Sequence, residues 1–597
     1  MCGIAGYVRR ETGPDLRAAV AVMHRAIDHR GPDDRGAWQS PTGRAVYVHT
    51  RLSILDPSPA GHQPMSIDEG RYTITYNGEI YNFAALRESL IAAGVTFRSH
   101  TDTEVLLRLY QSEGPSFVKR LRGMFAFAIW DERERTCFLA RDPFGIKPLF
   151  YHEANGVLSF ASEVRALLES GLVPATLNAQ ALYEYFRSGS VPQPLTLIRG
   201  VRALEPGHHL TWRDGRGTLR RYWQVEFPDV AGGDDPAGLT RAALIDSVKH
   251  HFVSDVPVGI FLSGGMDSTA IVALSRATQA GEIRTFSLTF PGSALDEGPE
   301  ARRTADLFGT THHEWAVDAR SARALFTDFL AAADQPSIDG FNTFTVSRLA
   351  HLHDTKVVLS GLGGDEMFGG YPSFRGVPRL ARLGRQVRLG GGLATAAVWA
   401  AGEIGGARLR RITDLISDAP SLQRAYEVFR GIYTSREALT LTEHYVGGRE
   451  AVVEQIGGGA HGDPTPEDTV SRLELTRYLR NQLLRDTDMM SMAWGVELRV
   501  PFLDSQLFDT LARVPARQRL AAGKALLLRA VPEIPSWVAN RPKRGFLFPI
   551  QQWIEGEWAA DFAHLDRRPL VKTETWYRKW SVLAFEDWSR RLEVTGG

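Results

Sequence analysis

Cys2 is the first residue of this chain able to do covalent chemistry, because removal of Met1 would leave a free α-amine beside its thiol. An α-amine titrates near ~8 and a thiol near ~8.5, so the amine can act as the base that makes the thiolate, and no separate histidine is needed. Polar segments follow in order: Arg30-Gly31-Pro32-Asp33, Arg51-Leu52-Ser53-Ile54-Leu55, Asn77-Gly78-Glu79-Ile80-Tyr81-Asn82 and Thr101-Asp102-Thr103-Glu104. Singly, Arg51, Glu79 and Asp102 would read as surface ion-pair members and Asn77-Gly78 as a hairpin turn. The second thiol, Cys137, falls inside a strand pattern and reads as packing.

Near the middle, Leu262-Ser263-Gly264-Gly265-Met266-Asp267-Ser268 joins an apolar run of strand length to a helical stretch. Its small residues let backbone N–H groups approach a phosphate at a helix N-terminus. The Gly-Lys-Ser/Thr ending of a Walker A loop is missing, so transfer of a γ-phosphoryl group is not the natural chemistry. A second loop, Ser360-Gly361-Leu362-Gly363-Gly364-Asp365-Glu366, also follows an apolar strand, which puts both loops at one edge of a sheet. Asp267 and Asp365 are then able to meet over one Mg²⁺ on the phosphates of ATP. Two later segments, 492–504 (MAWGVELRVPFLD) and 541–546 (RPKRGF), complete the set.

The N-terminal motifs together resemble a class II glutamine amidotransferase, an N-terminal-nucleophile fold, and the mid-chain loop is similar to that of N-type ATP pyrophosphatases, which cleave ATP to AMP and pyrophosphate. In this order the motifs resemble the glutamine-hydrolysing asparagine synthetase family over nearly the whole chain. The resemblance implies that Cys2 attacks the glutamine side-chain amide while Asn77 and the Gly78 amide hold the oxyanion. Arg51 would clamp the α-carboxylate, and Glu79 and Asp102 the α-ammonium, in a pocket completed by Leu52, Ser53, Ile54 and Leu55. It further implies that Leu262, Ser263, Gly264, Gly265, Asp267, Ser268, Leu288, Ser360 and Gly361 border the nucleotide, that Asp267 and Asp365 hold Mg²⁺, and that Lys543 neutralises phosphate charge. Ammonia then passes between the domains through the interior, with aspartate as the default acceptor. The same chemistry on another carboxylate is a second reading. A non-catalytic glutamine or nucleotide sensor or scaffold is a third, against which intact Cys2, Asp267 and Asp365 argue.

The match departs from the family at Leu362, where asparagine synthetases place a glutamate implicated in proton handling. Glu366, Asp486 or Asp488 is expected to supply the missing base, or else the acceptor differs from aspartate. Arg375, Arg379, Arg382, Arg385 and Arg388 recur at spacings of three and four, as on one face of a helix. A solvated face is the first reading, a dock for a large anionic acceptor the second.

Elements that position these residues are legible too. Alternating runs such as Tyr72–Tyr76, Phe125–Trp130 and Cys137–Ala140, interleaved with helical stretches 84–93 and 103–111, predict an antiparallel, sheet-rich first domain over 1–225, and the resemblance to N-terminal-nucleophile enzymes implies that it is an αββα sandwich. The Gly/Asp/Pro-rich segment 227–238 reads as a linker. Beyond it, strands at 256–262, 284–290 and 356–359, with a helix at 269–279, predict a doubly wound parallel sheet in a second domain over 239–597. The fold class is thus α+β followed by α/β. Lys plus Arg and Asp plus Glu both total 69, so no net field would attract nucleic acid or an acidic membrane. Two cysteines exclude a disulfide framework, and no signal segment is evident, so a cytoplasmic enzyme working on small molecules is expected. The oligomeric state stays open, a homodimer included.

Overall fold

The computed structural model describes residues 2–11, 16–230, 232–391, 411–415, 420–448, 452, 462–541, 545, 547–567 and 570–594. The first domain contains strands β1 (Cys2–Arg9), β2 (Asp34–Gln39), β3 (Ala45–Arg51), β4 (Met65–Ile67), β5 (Tyr72–Ile80), β6 (Gly123–Asp131), β7 (Thr136–Arg141), β8 (Phe150–Ala154), β9 (Val157–Ala161), β10 (Val201–Ala203), β11 (His208–Arg213) and β12 (Arg216–Arg221). They form two antiparallel sheets, in the orders β10-β8-β9-β1-β3-β2 and β12-β11-β7-β6-β5-β4.

Side-chain alternation explains the layering. On β1, Ile4 and Val8 join Ala126, Ala128 and Trp130 of β6 in the core between the sheets. Their neighbours Ala5 and Tyr7 face outward onto Val20 and Met23 of the helix Arg17–Ala26. Phe125, Phe127 and Ile129 likewise turn to the other outer layer, where Val105 and Leu109 of the helix Asp102–Glu113 cover them. Both faces of each sheet are therefore buried, which is why segment 125–130 is a continuous apolar run. Cys137 belongs to the inter-sheet core, where its thiol meets the Tyr47 hydroxyl at 3.2 Å and burial pushes its pKa up to about 12.

In the second domain β13 (Val258–Phe261), β14 (Arg284–Thr289), β15 (Thr311–Ala316), β16 (Val357–Leu359) and β17 (Glu497–Arg499) form an all-parallel sheet in the order β15-β14-β13-β16-β17. Two boundaries differ from the sequence expectation. The segment expected to be linker ends early, because Asp235 caps the helix Pro236–His251 by accepting from Gly238 N. The glycine-rich loop expected over 263–268 is also shorter, since Met266, Asp267 and Ser268 already lie in the first turn of the helix Met266–Thr278. The arginine-rich segment is a helix, Ser373–Leu389, and all five of its recurring arginines are exposed, as a solvated face requires.

Candidate active site

Register brings the first set of residues together. Cys2 on β1 pairs directly with Arg51 on β3, so nucleophile and candidate carboxylate clamp are cross-strand neighbours. Cys2, Arg51, Leu52, Ile54, Leu55, Gly78, Glu79 and Asp102 line one small cavity of about 30 Å³. Ser53 lies off its wall, its backbone N–H donating to Asp33 Oδ2 at 2.7 Å. The Arg51 guanidinium is oriented by the carbonyls of Leu55, Asp56 and Ser58 at 3.1, 2.6 and 3.1 Å.

Asn77-Gly78 is not a hairpin turn. It lies within β5, opposite Ala126 and Phe125. Gly78 has φ +155°, and a Cβ there would lie 2.1 Å from the Met124 carbonyl oxygen, so strand packing itself excludes a side chain. Asn77 is fully buried; its Oδ1 accepts from Cys2 N at 2.9 Å, whereas its Nδ2 has no partner among the described residues. A donor held beside the nucleophile in this state is what an oxyanion site needs. The Cys2 thiol is raised by burial, opposed by the N-terminal positive charge, the Leu52 backbone and Arg51.

Burial is also the main cause that raises both Glu79 and Asp102, with Glu497 of the second domain adding to it and Arg499 opposing it at Glu79. Tyr76 Oη donates to Asp102 at 2.8 Å and Ile80 N at 3.0 Å, fixing the carboxylate on the wall. Such a pocket favours an incoming ammonium. If these acids hold the α-ammonium of glutamine, their binding form is the ionised one, and the ligand must displace protons as pH falls through the raised values. KM for glutamine is therefore expected to rise about 3- to 10-fold from pH about 8 to about 6, with a smaller change in kcat. A flat KM profile measured by glutamate release would remove these acids from substrate binding.

The second centre forms where β13 and β16 end. Leu262, Ser263, Gly264, Gly265, Asp267, Ser268, Ser360, Gly361, Leu362, Asp365, Glu366 and Asp486 line a cavity of about 300 Å³. From β14 the wall is formed by Phe286 and Ser287, while Leu288 is buried in the core and is not among the wall residues. Ser268 braces the first loop, its hydroxyl 2.9 Å from Ser263 Oγ. The two loops touch: a Cβ at Gly364 would lie 2.4 Å from Asp267 Oδ1, so glycine there allows the approach. Asp267 and Asp365 converge on Lys524 Nζ at 2.6 and 2.5 Å, and despite burial they hold that ammonium above its ordinary pKa. Lys543 lies outside the described residues, but Arg541 from the same basic run reaches this cavity, 3.5 Å from Glu297.

Burial, with Asp365 adding, raises Glu366 to about 8, and Tyr371 Oη donates to it at 2.9 Å. Asp486 is raised to about 7, again chiefly by burial. Asp488 belongs elsewhere: it accepts from Arg30 Nη2 at 2.6 Å, while Arg30 also donates to the Cys2 carbonyl at 3.2 Å and Glu163 at 2.9 Å. It is a domain-interface acid and does not line the nucleotide cavity, which excludes it as the missing base.

Sequence reading singled out segment 492–504 but gave no role to Arg499 and Glu497 within it, which join the two centres, and missed Lys524 in the second. Arg499, fully buried, reaches Glu497 at 2.6 Å and Glu79 at 3.5 Å, while its own carbonyl accepts from Ser360 N at 2.9 Å. One residue thus touches the wall of each cavity. Lys524 was invisible and the roles of Glu497 and Arg499 unreadable, since buried charges leave no periodic signal. Leu52 and Ile54 pack on Val357 and Met492, so the clamp loop rests on the second domain.

Comparison with known proteins shows the family. Residues 1–223 match the glutamine amidotransferase domain model, and 239–592 match the asparagine synthase model. The chain belongs to the glutamine-hydrolysing asparagine synthetase family. It is 33% identical to asparagine synthetase (glutamine-hydrolyzing) 1 of Bacillus subtilis, over 93% of this chain and 88% of that protein. It is also 28% identical to a protein named amidase chry2 of Gibberella zeae, over 100% of this chain and 95% of that one. Like other members of the asparagine synthetase family, it is an ATP-dependent amidotransferase ligase that takes nitrogen from glutamine. Among the described residues, no helix is long and apolar enough to cross a membrane.

Proposed function

We propose that Cys2 Sγ attacks the side-chain amide carbon of glutamine, with Asn77 Nδ2 and the Gly78 N–H donating to the oxyanion. The C–N bond breaks, ammonia leaves with a proton, and water then releases glutamate from the thioester. In the second cavity an acceptor carboxylate oxygen attacks the α-phosphorus of ATP and pyrophosphate departs. Ammonia arriving through the domain interface attacks the acyl carbon, AMP leaves, and a wall acid takes the surplus proton. The observation that carries this reading is Arg499, whose contacts with Glu79 and Ser360 make the two cavities neighbours across one buried interface.

The carboxylates of Asp267 and Asp365 suit Mg²⁺, because their oxygens already converge on a single cation, the Lys524 ammonium. Bound there, the ion would supply charge neutralisation for the departing pyrophosphate. Asp486 is the proposed base, since it lines the cavity without engaging the Lys524 ammonium and burial raises its pKa to about 7. Asp486→Asn is expected to lower amide formation about 100-fold and leave glutaminase activity intact, with Glu366→Gln as the parallel test. Unchanged synthesis in both variants would reject a side-chain base.

Aspartate is the default acceptor, and Leu362 on the cavity wall favours the second reading, a different carboxylate handled without the family glutamate. Incubation with ATP, Mg²⁺ and glutamine, with and without aspartate, tests the scheme: AMP, pyrophosphate and an amide identified by mass spectrometry are expected. Release of orthophosphate in place of pyrophosphate would overturn it.

A further inference from the structure

A second cavity, of about 770 Å³, adjoins the nucleotide cavity, and both are lined by Asp339, Tyr478 and Leu547. It lies within the size range of pockets that enclose drug-sized molecules. The acceptor carboxylate must reach the α-phosphate between the two nucleotide loops. A single amino acid extends about 3.5 Å along a chain. Free aspartate with its reacting carboxylate in the first cavity would leave the second to water.

The wall chemistry narrows what would fill it. Four guanidiniums line it, Arg187, Arg411, Arg430 and Arg477, and two of these are neutralised by carboxylates behind the wall, Arg187 by Asp414 and Arg430 by Glu474, the latter at 2.7 Å. A polyphosphate would therefore find two of its four cationic partners committed to those carboxylates. Gln423, Asn481 and Gln482 present side-chain amides, and Tyr426 and Tyr577 present ring faces. Amides and aromatic rings recognise a body that offers both donors and acceptors and some apolar surface, as a peptide backbone does.

We propose that this second cavity is the acceptor-body subsite, and that the acceptor is an acidic residue carried in a peptide or peptide-like conjugate. The proposal rests on the reading that the chain adenylylates a carboxylate in the first cavity. Leu362 fits it, because a leucine in place of the family glutamate gives the first cavity an apolar side chain where an acceptor larger than aspartate would be held.

The test measures AMP release and amide formation with glutamine, ATP and Mg²⁺. Acceptors are free aspartate, free glutamate, and tripeptides carrying aspartate or glutamate at each position. At least one tripeptide is expected to exceed free aspartate in kcat/KM by about tenfold or more. Gln423→Trp, which fills the cavity, and Tyr577→Ala, which removes a wall ring, should each lower peptide amidation about tenfold. Neither should change glutaminase activity, which serves as the control for folding. Aspartate as the best acceptor, with no effect of either substitution, would overturn the subsite while leaving the amidotransferase reading in place. Absence of AMP release with every acid, in enzyme that still hydrolyses glutamine, would overturn the adenylylation reading and the subsite with it.

Discussion

Cys2→Ala is expected to lower glutamine hydrolysis and glutamine-dependent amide formation by at least about 10³-fold, while synthesis supported by an ammonium salt stays within about twofold. The argument is local. The thiol is the proposed nucleophile of its cavity, and the remaining thiol, Cys137, is buried between the sheets. Alanine keeps the β1 backbone and its register with Arg51, so the first domain retains its shape. The nucleotide loops belong to another sheet, and their geometry does not depend on the thiol. Assaying glutamate release beside AMP release separates the two activities. Equal loss of both would mean that adenylylation depends on the thiol, contrary to the proposed division of labour.

Arg499→Met should be the most damaging substitution away from the nucleophile. It removes the cation from between Glu497 and Glu79 and leaves two buried carboxylates facing each other. Breaking a buried pair by removing one partner costs about 3–5 kcal/mol. Methionine also abandons the carbonyls of His251 and Val253, which the guanidinium engages at 2.8 and 2.7 Å. A lowered Tm is therefore expected, together with a rise in KM for glutamine of about tenfold, because Glu79 without Arg499 favours its neutral form. Arg499→Lys keeps the charge but not the fork, and should recover part of the KM and less of the stability. A variant with normal Tm and normal KM would show that this ion pair neither holds the interface nor tunes the pocket.

Much of this molecule was legible before its structure. Cys2 drew attention from its place behind Met1, whereas Arg51, Asn77, Gly78, Glu79 and Asp102 stood out only through the order of their motifs and the family resemblance that order carries, and the fold gathers them around one small cavity. The nucleotide loops were readable because a phosphate cradle needs glycine and serine between a strand and a helix. Apolar runs such as 125–130 and 256–262 announced strands, since burial on both faces forces continuity. Strand β17 was not readable as one, because two of its three residues are charged and its neighbour β16 lies far away in sequence.

Types and local order of the chemical groups were therefore set by the sequence itself, down to the missing glutamate at Leu362. Tertiary structure alone decided which acids share a cavity. It assigned Asp488 to Arg30 at the interface and Asp486 to the nucleotide wall, although only one residue separates them. It also brought Arg499 to Glu79 and opened the larger cavity beyond Asp339. The reason is physical: a buried ion pair is defined by distance and by the exclusion of water, and both arise only when distant segments pack.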